Sequence, residues 1–587
     1  MTASISPSAP ARNIITPRPW RRLGALAAGL LLALSWPGAD AAGAAARPAP
    51  QAVAQAPVEL GRVPARQLRS ALPPHWPHGA FMEIFVRAYA DSDGDGIGDL
   101  RGLTGKLDYL QALGIKGIWL MPVTVSADHD HGYATTDHRA IAPEYGTLAD
   151  FDELLRQAHR RGIGVIMDYV INHAAAEHPL FVAARADAVS PWRDWFVWSD
   201  TAPPGWDIWG KYPWYQTATS PWLYQGELKD LPLPAPEARG FYFGTFGPHM
   251  PDFDLRNPRV VDYHLDSLRY WLERGLDGYR LDAVPHMIEN DAVRWNDQPE
   301  SRALTRRIQD EIHRYPGRYV VCEATAEPQA WGDPAVCGGA FAFGYTQHFV
   351  KAAQGEAASV QALADYYRHA RPTMATFVSN HDIFAGRRLW DQVGGDEARY
   401  RLAAAAYLLQ PGTPFIYYGE EIGQAGLGEA SGLKGDLPIR APMSWTGDTS
   451  RAGFTTGTPY RPVAPNVATH NAAAAQRDPG SIHAFYKGML GLRNRLPSIA
   501  RGSYEAAYAD GLLLGFQRRL AGETSLVLIN YGDQAASTAV PGLALHARLR
   551  AEWPRAAAGA PRSTPRADER GQLSLLVPAQ SVQVWTV

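Results

Sequence analysis

Ile163-Gly164-Val165-Ile166-Met167-Asp168-Tyr169-Val170-Ile171-Asn172-His173 is an apolar run that ends in a carboxylate, an amide and an imidazole. A helix-like amphipathic stretch, residues 148–161, precedes it. Strands covered by helices on both faces read as continuous apolar runs rather than as alternations. The same unit recurs in both directions. Upstream, residues 81–88 and 115–121 read as strands with a helix over 103–113. Downstream, a helix over 260–274 leads to strands at 278–281, 319–323, 340–343, 376–379 and 413–418. Eight buried strands alternating with helices predict an α/β fold, a (β/α)₈ TIM barrel, because open doubly wound sheets usually have fewer strands.

The pattern breaks once. Residues 174–256 are rich in Pro, Gly, Trp and Tyr and predict an inserted domain after the third strand, splitting the catalytic barrel into 76–173 and 257–496. Alternating segments at 512–518, 524–530 and 573–577 predict a C-terminal β-sandwich over 497–587. At the other end, Arg12, Arg18, Arg21 and Arg22 precede an apolar run over 23–36 and the small residues Ala39, Ala41 and Ala42. That order reads as a signal peptide over 1–42, implying a periplasmic or secreted protein, followed by an Ala/Pro-rich linker over 43–75. A net charge of -3 offers nothing for nucleic acid, and no later stretch suits a membrane. The chain is expected to act as a monomer. Its two cysteines, Cys322 and Cys337, form either one bridge or two buried thiols.

Barrel enzymes carry their working residues at the C-terminal ends of the strands. Asp168, Asn172 and His173 end the third strand, Arg280 and Asp282 the fourth, Glu323 the fifth, and Asn380, His381 and Asp382 the seventh. Packing alone does not account for four strand ends with such side chains. The segments Asp168-Tyr169-Val170-Ile171-Asn172-His173, Gly278-Tyr279-Arg280-Leu281-Asp282, Glu323 and Ser379-Asn380-His381-Asp382 resemble the four signature regions of glycoside hydrolase family 13. Gly117-Ile118-Trp119-Leu120-Met121-Pro122, Met250-Pro251-Asp252-Phe253-Asp254, residues 412–421 and Arg440-Ala441-Pro442-Met443-Ser444-Trp445 are similar to further motifs of that family, in its order, over residues 80–530.

The resemblance implies a retaining mechanism: Asp282 as nucleophile, Glu323 as acid and base, and Asp382 binding sugar hydroxyls in the transition state. It also implies that Arg280 orients Asp282, that His173 and His381 hydrogen-bond the same ring, and that Tyr133 stacks under it. Ala134 stands where the family commonly has an aspartate after that tyrosine. Asp130 and Arg440 match residues that close the pocket around a non-reducing end in exo-acting relatives. Ala283 resembles members acting on α-1,4 bonds. Seven insert aromatics, Trp206, Trp209, Tyr212, Trp214, Tyr215, Trp222 and Tyr224, are expected to divide between the insert's own core and the substrate groove, two or three lining the latter.

A second constellation, Asp91-Ser92-Asp93-Gly94-Asp95-Gly96-Ile97-Gly98-Asp99, spaces acids at alternate positions among glycines. Carboxylates of Asp91, Asp93, Asp95 and Asp99 with the carbonyl of Ile97 suit a hard cation, and the resemblance implies structural Ca²⁺. Asn172 matches a second calcium ligand of many amylases. The expected activity is hydrolysis of α-1,4 bonds in starch or maltooligosaccharides, of the α-amylase type. The alternatives are an exo-acting α-glucosidase, a transglucosidase or trehalose-forming isomerase and, more remotely, a non-catalytic glucan-binding protein.

Overall fold

The computed structural model describes residues 58, 60–217, 240–554 and 564–587. The signal-peptide reading and the first part of the linker lie outside them. Eight parallel strands form the barrel: β1 Phe81–Ile84, β2 Gly117–Leu120, β3 Gly164–Tyr169, β4 Gly278–Leu281, β5 Tyr319–Cys322, β6 Ala340–Phe341, β7 Met374–Ala375 and β8 Phe415–Tyr417. They pair in the order β7-β6-β5-β4-β3-β2-β1-β8. The ring closes where Thr376 bridges Pro414 in parallel and the Phe415 amide donates to the Thr376 carbonyl at 2.8 Å.

Alternation along these strands sets apolar and charged layers inside the ring. Trp76, Phe81, Trp119, Ile166, Val321, Phe341, Phe377 and Phe415 fill the interior. Glycine makes room for the rings: a Cβ on Gly164 would lie 2.3 Å from the Trp76 ring, and one on Gly117 2.3 Å from the Phe81 ring. Two residues further along the same inward faces stand Glu83, Asp168 and Glu323, after Phe81, Ile166 and Val321. The apolar plug therefore becomes a charged floor at the C-terminal end.

The surrounding helices follow from ordinary signals. In Leu148–Arg160, Thr147 and Asp150 form a capping box, and Phe151, Leu154, Leu155 and Ala158 face the barrel. Pro258–Glu273 starts on the cap Asn257 with proline in its first turn. Some elements differ from the sequence expectation. The helix expected over 103–113 is two, Leu100–Thr104 and Leu107–Leu113, the first capped by Asp99. The seventh strand ends at Ala375; beyond the Thr376 bridge, residues 377–379 leave the ladder, and the Ser379 hydroxyl donates to Glu420. A hairpin of Thr124–Ser126 with Thr135–Ile141 was not expected, because its polar residues hide any apolar period.

The insert holds a three-stranded antiparallel sheet with Phe241–Phe243 between Trp198–Ser199 and Trp214–Gln216. A bridge from His173 to Asp252 ties it to the end of β3. Helical structure continues through Ile482–Arg495 and Pro497–Arg501. The C-terminal strands are β9 Ser503–Asp510, β10 Leu513–Leu520, β11 Glu523–Asn530, β12 Ala536–Ala539, β13 Arg550–Trp553, β14 Ser574–Val577 and β15 Ser581–Thr586. They make one sheet in the order β9-β10-β11-β15-β13 and a β12-β14 pair, with Leu513, Leu526, Leu528, Leu575, Val577 and Trp585 packed in one cluster. Cys322 and Cys337 are disulfide-bonded, which settles the choice left open by the sequence.

Candidate active site

One guanidinium organises the charged floor. Arg280 Nη1 lies 2.8 Å from Asp168 and 2.5 Å from Asp282, and its Nη2 lies 2.8 Å from Glu323. Three carboxylates from the ends of β3, β4 and β5 thus share one cation that is itself 1% exposed. Burial pushes the Asp282 carboxyl up while Arg280 pulls it down and Glu323 pushes it up again. Burial likewise raises Asp168 to about 6 against Arg280. Immediately after Asp282, Ala283 adopts a left-handed φ of 49°, and its amide donates to Glu323 Oε2 at 3.0 Å. A side-chain-bearing residue held there is backbone strain beside the acids.

A second chain of contacts holds Tyr133 and His381. The Tyr133 hydroxyl donates to Asp168 at 2.8 Å and lies 2.7 Å from His381 Nε2, with the two rings stacked at 5.4 Å. His381 Nδ1 is 2.6 Å from Glu83, a residue that sequence reading missed because it lies inside a strand rather than at its end. The missing aspartate after Tyr133 is compensated from the other side of the loop. Asp128 accepts the amides of Asp130, Gly132 and Ala134 at 2.8–3.0 Å. Although burial opposes it, the charge of His131 and these amides bring Asp128 down to about 2.

Above the acids lies a cavity of about 720 Å³, lined by Asp282, Glu323, Asp382, Tyr133, His173 and Arg440 among others. Asp130, Arg280 and His381 do not line it. Arg280 and His381 lie beneath the lining residues, and Asp130 is turned away: Arg461 holds it at 2.5 Å and Arg440 faces it at 3.7 Å. The structure thus makes Asp130 a support for Arg440 rather than a cavity wall, with Arg461 as a partner that no motif signalled. Arg440 itself, 2% exposed, stands 3.3 Å from both Asp382 and Asp436. Burial raises Asp382 to about 7, Arg440 opposing and Glu323 adding to it.

His173 lines this space, and burial, with the charge of His249 adding to it and the nearby Tyr133 backbone opposing, lowers its imidazole to about 3. It is a neutral donor and acceptor at pH 7. Beside it, Asn172 donates to Asp252 at 3.0 Å, and its Oδ1 is buried without a partner. Burial raises Asp252 to about 6 and Glu289 well above its ordinary range, the two carboxyls facing each other. Of the seven insert aromatics, Trp209 lines the cavity, 59% exposed. Trp206 and Trp214 pack with Ile208 and Phe243 in the insert core, Tyr212 binds the Pro203 carbonyl, and Tyr215 packs on Tyr242. Trp222 and Tyr224 lie outside the described residues. Phe384, 61% exposed, and Phe246 also line the cavity, and the motifs mark neither.

At the far end of β1, carboxylate oxygens of Asp91, Asp93 and Asp99 lie within 4.8 Å of one another. Asp95 is not brought into this group: its Oδ1 accepts the Ile97 amide at 2.7 Å. Gly94 and Gly96 have φ of 88° and 94°, and a Cβ on Gly96 would lie 2.0 Å from the Thr458 carbonyl, so the loop is pressed against residues 454–460. A hard cation fits such an all-oxygen group.

Comparison with known proteins agrees with this geometry. The family model for the α-amylase catalytic domain matches residues 83–502. The trehalose synthase/amylase TreS of Mycobacterium tuberculosis (strain ATCC 25618 / H37Rv) is 34% identical over 505 residues, covering 77% of this chain and 81% of that protein. An oligo-1,6-glucosidase of Parageobacillus thermoglucosidasius is 28% identical over 538 residues, covering 79% and 92%. The crystal structure of an α-amylase from H. orenii superposes with a TM-score of 0.70 at 30% identity, covering 87% of this chain and 99% of that one. A catalytic-domain match across most of the chain and carboxylates converging at the ends of three barrel strands make this protein a member of the α-amylase family, glycoside hydrolase family 13, with glycosidase or glucosyl-transfer activity.

Proposed function

We propose that this protein is an exo-acting, retaining α-glucosidase or transglucosidase that works on short α-linked glucosides, rather than the α-amylase-type enzyme expected first from its sequence. The carrying observation is Arg440, buried beside Asp382, Asp436 and Asp130 and lining the cavity next to the acids, a position that favours a pocket for a chain end over an open groove. The relatives named as trehalose synthase/amylase and oligo-1,6-glucosidase support the same reading.

In this mechanism an oxygen of Asp282 attacks the anomeric carbon as the glycosidic bond breaks, and Glu323 protonates the leaving oxygen. Arg280 neutralises the nucleophile's neighbourhood and fixes it beneath the sugar. Glu323 then takes a proton from water or from a sugar hydroxyl, which displaces Asp282 from the anomeric carbon. Asp382 and His173 hold hydroxyls of the ring, and Tyr133, stacked on His381, presents its face to it. Calcium, held by Asp91, Asp93 and Asp99, would brace the loop after β1 without entering the reaction. The amino-terminal segment and the disulfide support export to an oxidising compartment.

The test is a chromatographic time course on maltose, isomaltose, maltopentaose and soluble starch. Glucose released one unit at a time, or rearranged disaccharides, is the expected result. Early mixed maltooligosaccharides from starch would return the α-amylase reading to first place.

A further inference from the structure

The opposite end of the barrel carries a second cavity, of about 330 Å³, that the catalytic reading does not use. Its walls come from the start of β1, the β5 and β6 region and the C-terminal sheet, and its ionisable lining residues are all basic or phenolic: Arg318, Arg501, Arg518, His78, His313 and Tyr319. Arg518 is 1% exposed and spends its nitrogens on the carbonyls of Gly502, Ser503 and Leu409. Directly behind it, Arg493, also 1% exposed, binds the carbonyls of His78, Leu408, Gln410 and Gly412. No carboxylate among the described residues pairs with either. Two buried guanidiniums without counter-charge are expensive. Burial and the charge of Arg518 lower Arg493 to about 9, and burial and the charge of Arg493 lower His78 to about 4. Arg318, 7% exposed, sits on the floor paired with Asp277, and its Nε has no partner.

We propose that this cavity binds a phosphoryl dianion, as inorganic phosphate or a small phosphate monoester. Arg501 at the rim presents its guanidinium fork to a tetrahedral oxyanion, Arg318 and Arg518, whose Nη atoms are held by Asp277 and backbone carbonyls, add positive charge from the walls, and the volume takes a phosphoryl group with a small substituent. Because Gly502 and Arg518 belong to the C-terminal region and Arg318 and Gly338 to the barrel, a bound anion joins the two.

Binding is measured calorimetrically with inorganic phosphate, methyl phosphate and chloride on the purified protein at one ionic strength, alongside its melting temperature. Phosphate or methyl phosphate binds and raises the melting temperature while chloride does neither; the tighter of the two names the natural source. Arg501→Glu, at the half-exposed rim, weakens phosphate binding about tenfold and leaves turnover of maltose unchanged. Equal effects of phosphate and chloride, or unaltered phosphate affinity in Arg501→Glu, overturn the proposal. Arg518→Met serves only as a second variant, since it also frees three backbone carbonyls.

Discussion

Nδ1 of His381 lies 2.6 Å from Oε1 of Glu83, and each side chain is 1% exposed. Burial, joined by the charge of Asp382, drives the carboxyl up, and burial drives the imidazole down, which disfavours an ion pair and leaves a hydrogen bond between them. The other ring nitrogen, Nε2, faces the Tyr133 hydroxyl at 2.7 Å and Asp382 at 3.2 Å, and that hydroxyl donates to Asp168. Glu83→Gln keeps a hydrogen-bonding group in place and should retain activity within a few-fold. Glu83→Leu removes it and should lower kcat by about 10²-fold, the scale of a misplaced reacting group, with KM little changed. Equal activity in both variants would show that the chain of hydrogen bonds does not position the ring.

The shared contact of Asp282 and Glu323 with Arg280 makes a clear prediction for the reaction. Asp282→Asn and Glu323→Gln should each lower kcat on the order of 10³-fold or more, while the melting temperature stays level or rises. Near-normal turnover in either would contradict the assigned roles.

Asp382 links activity to stability. Its folded carboxyl titrates at about 7, above its ordinary 3.8, burial being the main cause. Between those values the folded state binds more protons than the unfolded one, so this group lowers stability as pH rises from about 4 to about 7. Asp382→Asn removes that slope. The variant should melt higher than the parent, with the gap wider at pH 8 than at pH 5. A gap that narrows with pH would reverse the sign.

Much of this site could be read from the chain because barrel chemistry sits at the ends of apolar runs, where Asp168, Asp282, Glu323 and Asp382 interrupt the pattern. Glu83 could not, since one acid inside a strand gives no sign that it faces His381 across the ring. Arg461 joins Asp130 from 331 positions away, a pairing created only by tertiary packing. The motif of Asp130 implies a residue that closes the pocket, yet a motif does not show which way a loop carboxylate turns.

The calcium loop offers a test by metal removal. Asp91 Oδ2 accepts the Thr455 hydroxyl, and the Tyr460 amide donates to Gly96, so the loop fastens the segment whose Tyr460 hydroxyl binds the Arg440 carbonyl at 2.7 Å. Chelation should lower the melting temperature of the parent, and calcium should restore it by mass action. Asp93→Ala should melt lower and lose that response. A parent indifferent to both treatments would leave the loop a self-bonded acidic turn.

Trp209 and Phe384 stand in solvent at the cavity, 59% and 61% exposed, where large apolar rings are costly unless something covers them. Trp209 is supported by Phe246, His286 and Trp295, and Phe384 stacks on Phe343 at 5.7 Å, so both are held in place. Rings fixed in this way suit the apolar faces of sugars beyond the one being cleaved. At about 0.5–1.5 kcal/mol for each such contact, Trp209→Ala and Phe384→Ala should raise KM for maltopentaose about three- to tenfold. Because the reacting carboxylates are untouched, kcat should hold, and KM for maltose should change less. An equal loss on both substrates would place the rings against the reacting sugar itself, and no loss on either would make them bystanders.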